Sequence, residues 1–188
     1  METGTKPDRA GLLPEEEEKA ARYLAQAKDG LAEAIMGLSG PQGSFKPAPD
    51  QWSIAAIVEH LGIVGQRVLE RLETLSEGLA ASPGRDNEAF AARLVSAMAN
   101  RSFKAQAPPA IYPTSTLDLH VAYQHFLETD RLMDTALRTT PGLREHTLSH
   151  PFFGELDGYD WILVYATHTL RHLEQIREVK ESRDFPGQ

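Results

Sequence analysis

Ile54, Ile57, Val58, Leu61, Val64, Val68, Leu72 and Leu75 recur at three- and four-residue intervals, the most regular apolar stripe in the chain. Such spacing places all eight side chains on one face of a helix. The helix begins near Trp52 or Ser53, and a face this long must be buried against other helices. Three partners can be read on either side of it. Pro14 opens a first helix, where Pro suits the first turn and Glu15 to Glu18 meet the positive end of the helix dipole. Leu24, Leu31 and Leu38, with Ala20, Ala27 and Ile35, form its stripe, and Ser39-Gly40-Pro41 is expected to end it. A third helix runs from about Ser115 to Arg138, with Val121, Phe126, Met133 and Leu137 as core contacts. Asp157 and Asp160 can cap a fourth, reaching about Lys180, whose inward stripe is Trp161, Tyr165, His168, His172, Gln175 and Val179.

The connections are of unequal length. Residues 41–51 and 139–156 read as loops punctuated by Pro and Gly, and no segment reads as a strand. Residues 79–115 form a long connection holding a short helix from Asn87 to Asn100 around Phe90, Leu94 and Met98. A connection of that length is uncommon unless it crosses a bundle or covers a site. The expected fold is therefore all-α, a four-helix bundle over residues 13–182 with a long crossover between helices 2 and 3. Residues 1–12 are expected to be a disordered polar tail, and residues 183–188 a short C-terminal one.

Composition removes several function classes. The net charge of −8 and the absence of a basic, aromatic-interleaved stripe argue against nucleic acid as a partner. The chain has no cysteine, which rules out disulfides, thiolate metal sites and a cysteine nucleophile. Met1 to Leu13 holds no apolar run of signal-peptide length, and no stretch approaches the roughly 18 apolar residues of a membrane span. The cytoplasm is the expected compartment, with no membrane partner. No P-loop, dinucleotide-binding glycine pattern, H-E-x-x-H or nucleophile elbow occurs.

The histidines carry the most chemistry. His146 and His150 are four apart, but Pro151 disfavours helix at His150, so both read as loop residues. His168 and His172, also four apart, lie inside the fourth helix on its inward face, close enough for two imidazoles to converge on one ion. His60 follows Ile57 by three residues and precedes Val64 by four, so it shares the apolar face of the second helix. A lone inward histidine is more often a satisfied core residue. Three on two helices each need polar partners, and one shared metal satisfies three nitrogens while leaving coordination positions open. Gln175, three residues past His172, has two readings: a partner for a metal-bound water or ligand, or a helix-end polar residue facing a partly wet core. Tyr165 either donates to a bound anion or is core with its hydroxyl at the rim. Glu59 points about 100° away from the adjacent His60, Glu174 lies on the face away from His172, and both are read as solvated, with Arg171 as a surface or interface charge. Leu163, Leu170 and Leu173 make a second apolar edge for the first helix or a twofold partner.

The segment Trp52-Ser53-Ile54-Ala55-Ala56-Ile57-Val58-Glu59-His60-Leu61 resembles the opening of the second helix in the DinB-like (YfiT-like) superfamily. So do His150-Pro151-Phe152-Phe153-Gly154-Glu155-Leu156, the helix from His168 to Ile176, and the stretch from Ala107-Pro108-Pro109 to Pro113. The resemblance covers about residues 15–182, and the paired-histidine helix is its most specific part. It implies a four-helix bundle of up-down-down-up character, with a metal site at one end formed by His60, His168 and His172. It further implies zinc or nickel as the ion and a homodimer as the common assembly. Relatives of this kind act as thiol-dependent transferases or isomerases, or as metal-dependent hydrolases.

Three functions follow as expectations. The first is a metal-dependent enzyme that activates a water or low-molecular-weight thiol against a small-molecule substrate, with Gln175 in the catalytic pocket. The second is a non-catalytic module whose ion stabilises the bundle, closed by a fourth ligand such as His120, His125 or a carboxylate. The third is a metal-free scaffold whose histidines are ordinary core residues.

Overall fold

The computed structural model describes residues 11–82, 84–102 and 108–187. Its long helices are α1 (Pro14–Ile35), α3 (Ile54–Glu73), α5 (Leu119–Thr139) and α6 (Gly158–Lys180). Two shorter helices, α2 (Gly40–Ser44) and α4 (Asn87–Ala99), lie in the connections. Of the tail expected over residues 1–12, residues 1–10 lie outside the described residues, and Leu12 is fully buried. At the other end Phe185 packs edge-on against Phe45, and Gln42 donates to the Pro186 carbonyl.

Long-range contacts set the helix directions. Arg144 bridges Glu16 at the start of α1 and Asp160 at the start of α6, while Lys180 at the end of α6 bonds the Ala34 carbonyl at the end of α1. These two helices are therefore parallel. Helix α3 runs against them, since Gly158 sits under Leu75 while His60 reaches His168. Helix α5 follows α3, with Gly62 beside Phe126 and Gly65 beside Thr129. The order is up, down, down, up. Two consecutive parallel helices, α3 and α5, require a crossover, and residues 74–118 supply it, laying α4 along α6.

The apolar stripe of residues 54–75 is buried throughout, and Ser53 caps α3 by accepting from Ala56 N–H at 3.2 Å. Asp157 and Asp160 form the acidic capping box of α6, with Asp157 Oδ1 accepting from Asp160 N–H at 2.9 Å. Phe126, Met133 and Leu137 are core residues of α5, whereas Val121 is 36 % exposed. Leu163 is fully buried and Leu173 packs on Gly30, so the second apolar edge of α6 faces α1.

Two expectations are corrected. Helix α1 ends at Ile35, before left-handed Gly37 (φ 73°), and Ser39 instead caps α2 by accepting from Gln42 N–H. A small antiparallel sheet is present, of β1 (Leu79–Ala80), β2 (His146–His150) and β3 (Gly154–Asp157), in that order. Strands β2 and β3 form a hairpin turning at left-handed Gly154, with Leu148 opposite Leu156. The strands are too short and too polar to show an alternating pattern. Leu156 and Thr147 are buried where β3 packs against α6 and β2 against the turn at Leu75–Glu77.

Candidate metal centre

His60 is carried on the second turn of α3, in the capped, apolar part of that helix, and His168 and His172 on successive turns of α6. The antiparallel crossing of the two helices brings the three rings together. His60 Nε2 lies 3.0 Å from His168 Nε2, and His172 Nε2 lies 3.1 Å from the same atom. Among the described residues these three are the one group of histidine, aspartate or glutamate side chains placed to share an ion. His120 and His125 are exposed on α5 and take no part.

The other ring nitrogens decide the tautomers. His60 Nδ1 lies 2.7 Å from the Ile111 carbonyl, and His172 Nδ1 lies 2.7 Å from the amide oxygen of Gln175. Both oxygens are acceptors, so both Nδ1 atoms carry the proton and both Nε2 atoms are bare lone pairs. They point at a single third nitrogen. A neutral His168 has one proton to offer and cannot satisfy both. Protonating a second ring is opposed throughout: burial lowers the pKa of His60, only partly offset by the Ile111 bond. Burial, then His172 and His60, push His168 well below its ordinary value. Burial, then His60, bring His172 down to about 3.

Three neutral imidazoles with converging lone pairs fit a borderline divalent cation. Metal–nitrogen bonds of about 2.0–2.1 Å in tetrahedral geometry put ligand nitrogens roughly 3.3 Å apart, close to the spacing seen here. Three protein donors leave a position for a further ligand.

Trp52 covers this centre. Its ring is 4.8 Å from that of His60 and stacks at 6.4 Å over His172, while Tyr112 meets it edge-on at 5.7 Å. Tyr112 belongs to the crossover, so the long connection does wall the histidines. Tyr165, by contrast, is buried between Gly65 and Phe126, remote from the rim.

Three sequence readings change here. Glu59 is not solvated: it is 6 % exposed and accepts from Thr114 and Ser115 of the crossover. Arg171 is half-buried and donates to the Met98 and Asn100 carbonyls, closing the C-terminal end of α4. His150 is a strand residue whose ring packs 4.9 Å from Phe153 and 5.1 Å from Trp161, with burial lowering its pKa to about 4. The partners of Glu59 and Arg171 come from distant segments, and no local periodicity announces them. Glu174 does face solvent, paired with Arg177.

A mainly helical bundle with three histidines clustered at the α3–α6 crossing defines the class of protein, and comparison with known proteins names the family. The family model of the DinB superfamily matches residues 23–176, and the chain belongs to that superfamily. Uncharacterized protein YuaE of Bacillus subtilis (strain 168) is 27 % identical over 151 residues, covering 78 % of this chain and 88 % of YuaE. The solved structure of YfiT from Bacillus subtilis, described as a probable metal-dependent hydrolase with an unusual four-helix bundle topology, superposes with a TM-score of 0.63. That match is 16 % identical and covers 98 % of this chain and 97 % of YfiT, so it speaks to the fold. Among the described residues no helix is long and apolar enough to cross a membrane.

Proposed function

We propose that this protein is a divalent-metal-dependent hydrolase of small substrates, with His60, His168 and His172 holding the ion through their Nε2 atoms. The observation that carries the reading is the pair of bare Nε2 lone pairs, on His60 and His172, aimed at one histidine nitrogen that cannot satisfy both. The description of YfiT as a probable metal-dependent hydrolase supports the choice of reaction. A divalent ion held there supplies Lewis-acid activation of a water or thiol near neutral pH. The chain's own residues bind, orient and shield. Ile111 and Gln175 hold two of the rings in the ligating tautomer, as outer partners of ligating histidines do. Trp52 and Tyr112 exclude water from one side. Gln175 thus acts on His172 in this reading, and through it on the substrate.

Finer parts of the proposal rest on the family resemblance: zinc or nickel as the ion, a low-molecular-weight thiol as co-substrate in a transferase variant of the chemistry, and a homodimer. The cytoplasm as compartment and residues 13–182 as the bundle rest on the sequence pattern.

The test is elemental analysis of the purified protein beside a His168→Ala/His172→Ala double variant. Near-stoichiometric zinc or nickel, lost in the double variant, is the expected result, followed by hydrolysis of small esters or amides that a chelator abolishes. Metal in the wild type with no chelator-sensitive hydrolysis or thiol transfer, but a large fall in thermal stability on chelation, would favour a stabilising ion instead. No metal in either protein after incubation with excess zinc and nickel would overturn the metal centre.

A further inference from the structure

A helical wheel turns Glu59 away from His60, yet its carboxylate is buried and fully engaged. Its bonds come from one short stretch of the crossover. Thr114 N–H and Thr114 Oγ1–H donate to Oε1 at 2.9 and 2.6 Å, and Ser115 N–H donates to Oε2 at 3.0 Å. Ser115 is, among the described residues, the one non-glycine with positive φ, at 59°. A left-handed residue in such a turn lets successive N–H groups converge on one anion. Three residues before Thr114, Ile111 places its carbonyl on His60 Nδ1. Two adjacent residues of α3 therefore grip the two ends of a single strap. Between the grips lie Tyr112, which contacts Trp52, and Pro113, whose ring restricts the backbone.

We propose that Glu59 is a positioning residue: by latching the strap of residues 111–115 to α3, it keeps the Ile111 carbonyl on His60 Nδ1 and so leaves His60 Nε2 as the free donor atom. The inference rests on the metal-centre reading given above. The latch matters because a neutral imidazole can carry its proton on either nitrogen, and the acceptor beside one nitrogen selects the form. If the strap drifts, His60 can take up the Nε2–H form, whose lone pair is on Nδ1 and which offers none at Nε2, where the other two rings converge. The three bonds also turn Glu59 onto the strap and away from the three ligating nitrogens, so it acts through Ile111 and His60 and touches no substrate.

The test compares 15N-labelled, metal-free wild type with Glu59→Gln and Thr114→Val, reading imidazole tautomers by long-range 1H–15N spectra, with His60→Ala to assign the signal. Gln replaces one acceptor oxygen by a donor that faces N–H groups, and Val removes the Thr114 hydroxyl while keeping its shape. The wild type should show His60 protonated at Nδ1. In Glu59→Gln the His60 signal should move toward the Nε2–H form while His172, held by Gln175, stays as it is. Zinc affinity by competition should fall about tenfold in Glu59→Gln, the lower end of the 10–100-fold effect of outer-shell partners, and less in Thr114→Val. A folded Glu59→Gln that melts earlier but keeps both the His60 tautomer and the zinc affinity would mark Glu59 as merely structural and overturn the proposal. Should Glu59→Gln fail to fold, an unmoved His60 tautomer in Thr114→Val overturns it equally. If wild type takes up no zinc, the metal-centre reading fails separately, and the tautomer comparison still decides the role of Glu59.

Discussion

The amide oxygen of Gln175 lies 2.7 Å from Nδ1 of His172, one turn earlier on α6. The three-residue spacing puts both on one helix face, and the bond commits the His172 ring proton to the side away from His60 and His168. Gln175 therefore stands to His172 as Ile111 stands to His60.

Gln175→Leu, which keeps bulk but removes the acceptor, is expected to weaken zinc or nickel binding by about 10–100-fold, and Gln175→Glu to keep it, because a carboxylate accepts the same proton. Competition against a chromophoric chelator reads both. Equal affinity in Gln175→Leu and wild type would mean that the bond does not set the His172 tautomer.

How far the sequence foretold this centre depends on where each partner lies. The inward placement of His60, His168 and His172 was legible, because each sits in a helix whose apolar neighbours at three and four residues define its face. Helix α4 was legible to within a residue at its end for the same reason. The hairpin of β2 and β3 was not, since a five-residue strand reading His-Thr-Leu-Ser-His carries no usable alternation. Glu59 and Arg171 were misread for a different reason. A helical wheel knows only the bundle, and their partners, Thr114, Ser115, Met98 and Asn100, arrive from the crossover.

Arg144 closes the end of the bundle opposite the histidines. It pairs with Glu16, Asp157 and Asp160, and lies 4.1 Å over the Tyr159 ring. Asp157 and Asp160 are 1 % and 0 % exposed, so losing their cation leaves buried charge that Arg85 alone must answer. Breaking a buried pair from one side costs on the order of 3–5 kcal/mol, and Arg144→Met should destabilise by about that much in urea denaturation. A loss below about 1 kcal/mol would assign the work to Arg85 and reduce Arg144 to a surface-like pair.

Asp130 gives the protein a pH dependence with a definite sign. It is 5 % exposed with Oδ1 unbonded, and burial raises its pKa from 3.8 to about 6, with Lys28 lowering it and Asp134 and Asp29 raising it. The folded pKa is above the unfolded one, so the folded state binds the proton more tightly. The stability this group contributes is complete below about pH 4 and lost as pH rises through about 6. Asp130→Asn removes the titration. Its stability relative to wild type should rise by about 3 kcal/mol between pH 4 and pH 8, at roughly 1.4 kcal/mol per pKa unit. Urea titrations at the two pH values check this, and a difference that does not change with pH would refute it.

Gly65 lies where α3 meets both α5 and α6, against Thr129 and Tyr165. A Cβ there would collide with Thr129 Cγ2 and come within 2.7 Å of Tyr165 Cε2. Two effects oppose each other in Gly65→Ala: helix propensity favours Ala by about 1 kcal/mol, and overpacking a filled core costs about 1–3 kcal/mol. Overpacking should win, because neither neighbour can move cheaply. Thr129 is held by its hydroxyl bond to the His125 carbonyl at 2.9 Å, and Tyr165 is 1 % exposed and stacked on Phe126. Removing the Thr129 methyl while keeping that bond, in Gly65→Ala/Thr129→Ser, should recover part of the loss seen in thermal denaturation. Full persistence of the loss in the double variant would identify the Tyr165 ring as the obstacle. A stabilised single variant would mean that the three helices can spread at this crossing, and that the α3–α6 spacing which sets the histidine geometry is softer than the packing implies.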